Sequence, residues 1–160
     1  MPQITIEYMI MIPILIMQFF LFPLTAGWIM TTWVDSRQTL ALQETASHLG
    51  SLIQQVYSAL NHESISAGAV TNRLEIPPFI EGYAYTGNAS LRDAAPDSSR
   101  ILDITLRFMG GRISSTTSVT LGENVVWDQN SAFMSNSTHA SLIAEKLSND
   151  TILLYFEGDD

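Results

Sequence analysis

Between Tyr8 and Val34 the chain (YMIMIPILIMQFFLFPLTAGWIMTTWV) runs without an Asp, Glu, Lys, Arg or His. A bilayer core of about 30 Å needs about 20 helical residues at about 1.5 Å each, so this run is long enough to span one with some tilt. It is longer than a secretory apolar region of about 7–15 residues, and no A-x-A site follows it. The expectation is a membrane-spanning helix, with Trp28 and Trp33 as interfacial anchors near its far end. Pro13 and Pro23 interrupt the run. Each removes a backbone donor and crowds the preceding turn, so kinks or local unwinding are expected there. Charge says little about orientation. No Lys or Arg precedes the run and only Arg37 follows closely, which favours a cytoplasmic C-terminal side by a single residue.

The rest of the composition removes several function classes. The formal net charge is -9, and all seven Lys and Arg residues fall at or after Arg37 without clustering. Nucleic-acid binding needs a basic face, so no nucleic-acid partner is expected. With no Cys there is neither a disulfide framework nor thiolate chemistry.

Beyond the apolar run, residues 35–61 contain no Pro and only Gly50. Leu42, Ala46, Leu49, Ile53, Val56 and Leu60 recur at spacings of 4, 3, 4, 3 and 4, one apolar stripe on a helix. Nothing between Val34 and Leu42 stops a helix, so one helix of roughly 55 residues is predicted, apolar all round at first and amphipathic later. The stripe is either a short coiled-coil seam or the face that lies on a sheet; the β-rich segment that follows favours the sheet.

After a turn-like stretch from Asn61 to Asn72 the period changes to 2. Leu102, Ile104, Leu106 and Phe108 alternate with Asp103, Thr105 and Arg107, a half-buried strand. Gly110-Gly111 and the Ser/Thr/Val-rich segment Ile113 to Leu121 make it a hairpin. Short strands are expected at Leu74 to Ile76, Tyr83 to Thr86 and Val125 to Asp128, and a last one at Asp150 to Phe156. Pro77-Pro78 marks a turn or an edge. Ser141 to Leu147 reads equally as a short helix or as a strand. Five to seven short antiparallel strands covered by the helix stripe make an α+β fold.

The N-terminus reads Gln3-Ile4-Thr5-Ile6-Glu7-Tyr8 and then the apolar run. It resembles the class III signal and mature start of archaeal type IV pilins and archaellins, in which Q-x-[ST]-x-E-Y/F precedes an apolar run, a long helix and a β-rich head. Gln3, Thr5, Glu7 and Tyr8 match that pattern. The family's leader carries Lys or Arg and a small residue before the cut, whereas here Met1-Pro2 stands before Gln3, so the implied cleavage lies between Pro2 and Gln3. The resemblance implies a type IV pilin-like fold with residues 1–2 as leader. Residues 3–34 would form the membrane and filament-core helix, 35–61 its amphipathic continuation, and 62–160 an extracellular head on a small antiparallel sheet. It implies a helical homo-oligomer assembled through the N-terminal helix, with a prepilin peptidase and a pilus assembly platform as partners. Glu7 would pair with the freed amine of a neighbouring subunit, and Pro23 would lie where the filament helix unwinds. For a solitary helix the simpler role of Glu7 is to complement the positive end of the helix dipole at the membrane interface.

Three N-x-S/T sequons occur, at Asn88, Asn136 and Asn149. Used as glycosylation sites, they place the segment after the helix outside the cell. No catalytic constellation stands out. His48, His62 and His139 lack zinc-ligand spacing, and no G-x-S-x-G elbow, P-loop or calcium loop occurs. Neither enzyme activity, a metal nor a cofactor is expected. Trp127, Tyr83, Tyr85, Phe79 and Phe133 are expected to pack rather than to form a ligand platform. Two functional readings remain: a surface-filament subunit for adhesion or attachment, and a membrane-anchored surface protein that never polymerises and binds through its head.

Overall fold

The computed structural model describes residues 3–94 and 98–158, with side chains from residue 9 onward. A single helix, α1 (Gln3–Leu60), contains both Pro13 and Pro23 and continues through each. Eight strands follow among the described residues: β1 (Gly68–Arg73), β2 (Tyr85–Asp93), β3 (Arg100–Phe108), β4 (Ser114–Leu121), β5 (Val125–Trp127), β6 (Ala132–Met134), β7 (Ser141–Lys146) and β8 (Ile152–Glu157). The chain divides into two compact units, one up to Arg37 and one from Gln38 onward. The architecture is α+β.

The second unit holds the core. Its strands form two four-stranded sheets, ordered β1-β7-β8-β5 and β4-β3-β2-β6. All pairs are antiparallel except β5 with β8, which run parallel. The sequence implied one small antiparallel sheet; the second sheet arises because β1 and β5 find distant partners in β7 and β8 rather than chain neighbours. The helix stripe behaves as its spacing predicts: Leu42, Ala46, Leu49 and Ile53 have no solvent exposure, Leu60 is buried and Val56 is half-buried. Gly50 lets this helix approach the second sheet closely, since a Cβ there would lie 2.7 Å from Val119 Cγ2. The inward residues Leu102, Ile104, Leu106 and Phe108 of β3 are buried, as alternation requires. Phe156 on β8 packs edge-on against Phe133 on β6 and Trp127 on β5, each at 4.9 Å, joining the two sheets in one core.

Polar side chains fix the connections. Tyr57 donates to Asn124 Oδ1 at 3.1 Å, while Asn124 Nδ2 donates to Asn61 Oδ1 at 2.9 Å and to the Asp150 carbonyl at 3.0 Å. Asn124 thus ties the end of α1 to two strand connections. Pro77-Pro78 offers no backbone donor. The Tyr85 phenol donates to the Pro77 carbonyl at 2.7 Å and Ser135 Oγ to the Pro78 carbonyl at 2.8 Å. Burial pushes the Tyr85 phenol well above its ordinary range, so it stays a neutral donor.

Several expected elements moved. Leu74 to Ile76 is not a strand. Leu74 is buried and its N–H bonds the Ala140 carbonyl, whereas the strand β1 lies just before it, largely in the stretch read as turn-like. β1 is an exposed edge strand, so it carries no apolar alternation to read. Ser141 to Lys146 is a strand, paired with β8. Tyr85, Trp127 and Phe133 are core residues, but Tyr83 and Phe79 are exposed; Tyr83 covers the Phe108 ring edge from outside at 5.9 Å.

On the outer face of the second sheet, Asp103 accepts from Arg92 Nε at 2.6 Å and from Ser118 Oγ at 2.5 Å. Those two bonds, that from Arg92 foremost, lower the Asp103 carboxyl below its ordinary value of 3.8. Its stabilising contribution is therefore complete above about pH 4 and lost as pH falls through the lower folded-state value. Arg92 is largely exposed, which keeps the effect small. Asp103→Asn is expected to cost less than about 1 kcal/mol at pH 7. Urea unfolding of the full chain in detergent should find that difference shrinking at pH 3; an undiminished gap there would remove the carboxylate from the account.

Candidate functional site

The first unit contains the feature that most needs a partner. From Met9 to Val34 every side chain on α1 is exposed, including Met9, Phe19, Phe22 and Trp28, each more than 70 % exposed. An apolar surface of this extent is far beyond what a soluble monomer leaves in water. The helix is long and apolar enough to cross a membrane, and none of its most apolar window is buried.

Its polar groups are arranged for an apolar surrounding. Thr25 Oγ1 donates to the carbonyls of Leu21 and Phe22, both at 3.0 Å. Thr31 donates to Gly27, Thr32 to Trp28 and Ser36 to Thr32, at 2.8–3.0 Å. These hydroxyls close back onto the preceding turn and need nothing from outside. The Thr25 bonds sit beside Pro23, whose missing N–H leaves the Phe19 carbonyl without its usual donor. Toward the end of the unit the Arg37 guanidinium lies 4.9 Å from the Trp33 ring centre. A cation on an aromatic face suits the level where hydrocarbon gives way to water.

The residues singled out in the sequence fall as follows. Gln3 and Glu7 lie in α1, near its start, but their side chains are outside the described residues, as is Pro2 altogether. Pro23 is inside the continuous helix; the unwinding expected there is not present in this chain alone. Asn136 and Asn149 occupy exposed turns, which suit asparagine. Asn149 Oδ1 accepts the Thr151 N–H at 3.2 Å. Asn88 is exposed too, but it stands mid-strand in β2, paired across to Thr105 and Ala132, rather than beside a turn. All three sequon asparagines are therefore open to solvent.

In the second unit a shallow cavity of about 460 Å³ is lined by Ala41, Glu44, Thr45, His48, Glu75, Ile76, Pro77 and Ile80. Among the described residues no three His, Asp or Glu side chains are placed to hold a metal ion. His62 Nδ1 is engaged by Ser64 Oγ at 2.8 Å. Sequence reasoning passed over this cavity, and passed over Gln18, the one amide inside the apolar run.

No protein-family profile, curated protein or solved structure matches this chain.

Proposed function

We propose that this chain is a structural subunit of a type IV pilus-like surface filament, held in the membrane by α1 before assembly and bundled through the same helix afterwards. The observation that carries the reading is the exposed apolar surface of α1 from Met9 to Val34, on the same helix whose later stripe is sealed under a β-rich head. Such a helix suits two successive surroundings, lipid and then neighbouring copies, since neither offers water. The start Gln3-x-Thr5-x-Glu7-Tyr8 supports the choice of a filament over a plain anchor. The head would face outward, carrying glycans at Asn88, Asn136 and Asn149.

The test is negative-stain microscopy of the sheared surface fraction, with its peptides identified by mass spectrometry. Filaments containing this chain beginning at Gln3 are the expected result. A chain that stays in detergent-extracted membranes and still begins at Met1 would replace the filament by an anchored binding module. For the head, intact-mass measurement of chain from its native host should lose one glycan increment with each of Asn88→Gln, Asn136→Gln and Asn149→Gln. Three unchanged masses would withdraw the glycosylation argument for an extracellular head.

A further inference from the structure

The Tyr8–Val34 run contains a single side-chain amide, that of Gln18. The threonines near it are satisfied inside the helix, but Gln18 is exposed and its amide has no hydrogen-bond partner among the described residues. In hydrocarbon such a group is costly, because lipid tails offer neither donor nor acceptor. Its position is also specific. At about 100° per residue, Ile14, Gln18, Leu21 and Thr25 fall together on one narrow stripe of the helix. Pro13 and Pro23 fall well away from Gln18, one on either side of that stripe. Ile14, Met17, Gln18, Leu21, Phe22 and Thr25 together line a shallow concavity along it.

We propose that Gln18 is a self-recognition residue: in the membrane two copies of α1 pack along the Ile14–Gln18–Leu21–Thr25 stripe and their Gln18 amides hydrogen-bond to each other. The occupant is a second copy for two reasons. A carboxamide carries both a donor and an acceptor, so it complements itself, whereas a lone cation or carboxylate cannot. All copies inserted with the same topology hold Gln18 at the same depth, so parallel pairing brings like against like without any adjustment of register. The spacings of 4, 3 and 4 put Gln18 at a seam position, where one polar residue selects register at some cost in stability. Thr25 adds a small side chain already bonded inward, which lets the backbones approach. The inference rests on the membrane placement proposed above but not on polymerisation.

The test uses the full chain, labelled with donor and acceptor dyes and reconstituted in phosphatidylcholine vesicles, with energy transfer measured against dilution into lipid. Gln18→Leu is expected to weaken self-association about three- to thirty-fold, the span of interhelical side-chain hydrogen bonds in membranes. Gln18→Asn should keep most of it, and adding Phe20→Gln to Gln18→Leu should not restore it, because Phe20 is on the opposite face. Because the chain has no Cys, single cysteines report the face directly. Oxidative cross-linking is expected for Leu21→Cys and Thr25→Cys, and not for Ile16→Cys. A wild-type chain that stays monomeric, equal association of Gln18→Leu, or cross-linking through Ile16→Cys instead would each overturn the proposal. Undiminished energy transfer from Gln18→Leu together with normal filaments would overturn it while leaving the filament reading intact. Gln18-dependent pairs of a chain that never forms filaments would keep it and remove that reading.

Discussion

Glu7→Ala is expected to abolish filaments while leaving the chain in the membrane fraction. The two roles open to this carboxylate differ in size. As a complement to the N-terminal end of the helix dipole it contributes about 0.3–1 kcal/mol, at most about a fivefold effect on an equilibrium. As the partner of a neighbouring subunit's freed amine it offsets the cost of carrying a charge into a water-poor bundle. That cost reaches about 2.5–3.5 kcal/mol per group at a bilayer centre. The loss then recurs at every subunit added, so a modest deficit per contact removes the polymer altogether. Membrane retention should not change, because the uncharged run from Tyr8 to Val34 is untouched. Glu7→Asp keeps the charge but shortens its reach, and should give few, short filaments. The readout is filament count by negative-stain microscopy beside immunoblots of the membrane fraction. Wild-type filament numbers from Glu7→Ala would reduce Glu7 to its dipole role and take the amine pairing out of the mechanism.

What could be read in advance follows from how strongly each segment repeats. The stripe Leu42 to Leu60 and the alternation Leu102 to Phe108 were legible because burial on one face selects residues at a fixed period. β1 was not, because an edge strand lying mostly in solvent imposes no such selection. β7 stayed ambiguous because Ser141, Leu142, Ala144 and Lys146 are all buried, so polar and apolar residues share its inner side and no clean alternation shows. A buried ammonium needs partners, and those of Lys146 are distant in sequence or across a turn. Its Nζ donates to the His62 carbonyl at 3.3 Å and pairs with Asp150 at 3.2 Å. The division into two sheets was hidden for the same reason: β1 with β7 and β5 with β8 are long-range choices that no local pattern encodes. At the candidate site, composition alone announced the apolar run. The inward hydrogen bonds of its threonines emerged only with the helix geometry, and with them the reason the amide of Gln18 stands apart.

The largest effect on the head is expected from Gly87→Ala. Gly87 faces inward on β2, between Leu106 on β3 and Phe133 on β6. A Cβ there would collide with Cε1 and Cζ of Phe133 and stand 2.8 Å from Leu106 Cδ2. The ring occupies the place a side chain would take, so glycine is required here for space rather than for backbone freedom. Phe133 has no easy retreat. It is fully buried and rests on Phe156, which rests on Trp127, so displacement would pass into the other sheet. Overpacking of a filled core costs about 1–3 kcal/mol and more where the neighbours are rigid. Against a total stability of about 5–15 kcal/mol, a loss at or above the top of that range lowers the melting temperature by about 10 °C or unfolds the head. Circular dichroism of the full chain in detergent measures it, with Gly27→Ala as the control, since a Cβ at Gly27 meets nothing within 4 Å. Phe133→Leu in the Gly87→Ala background should recover part of the loss although it is destabilising by itself. That reversal of sign is the signature of two groups competing for one volume. If Gly87→Ala melts like the wild type, the slot is open and the joint between the two sheets is looser than this packing implies.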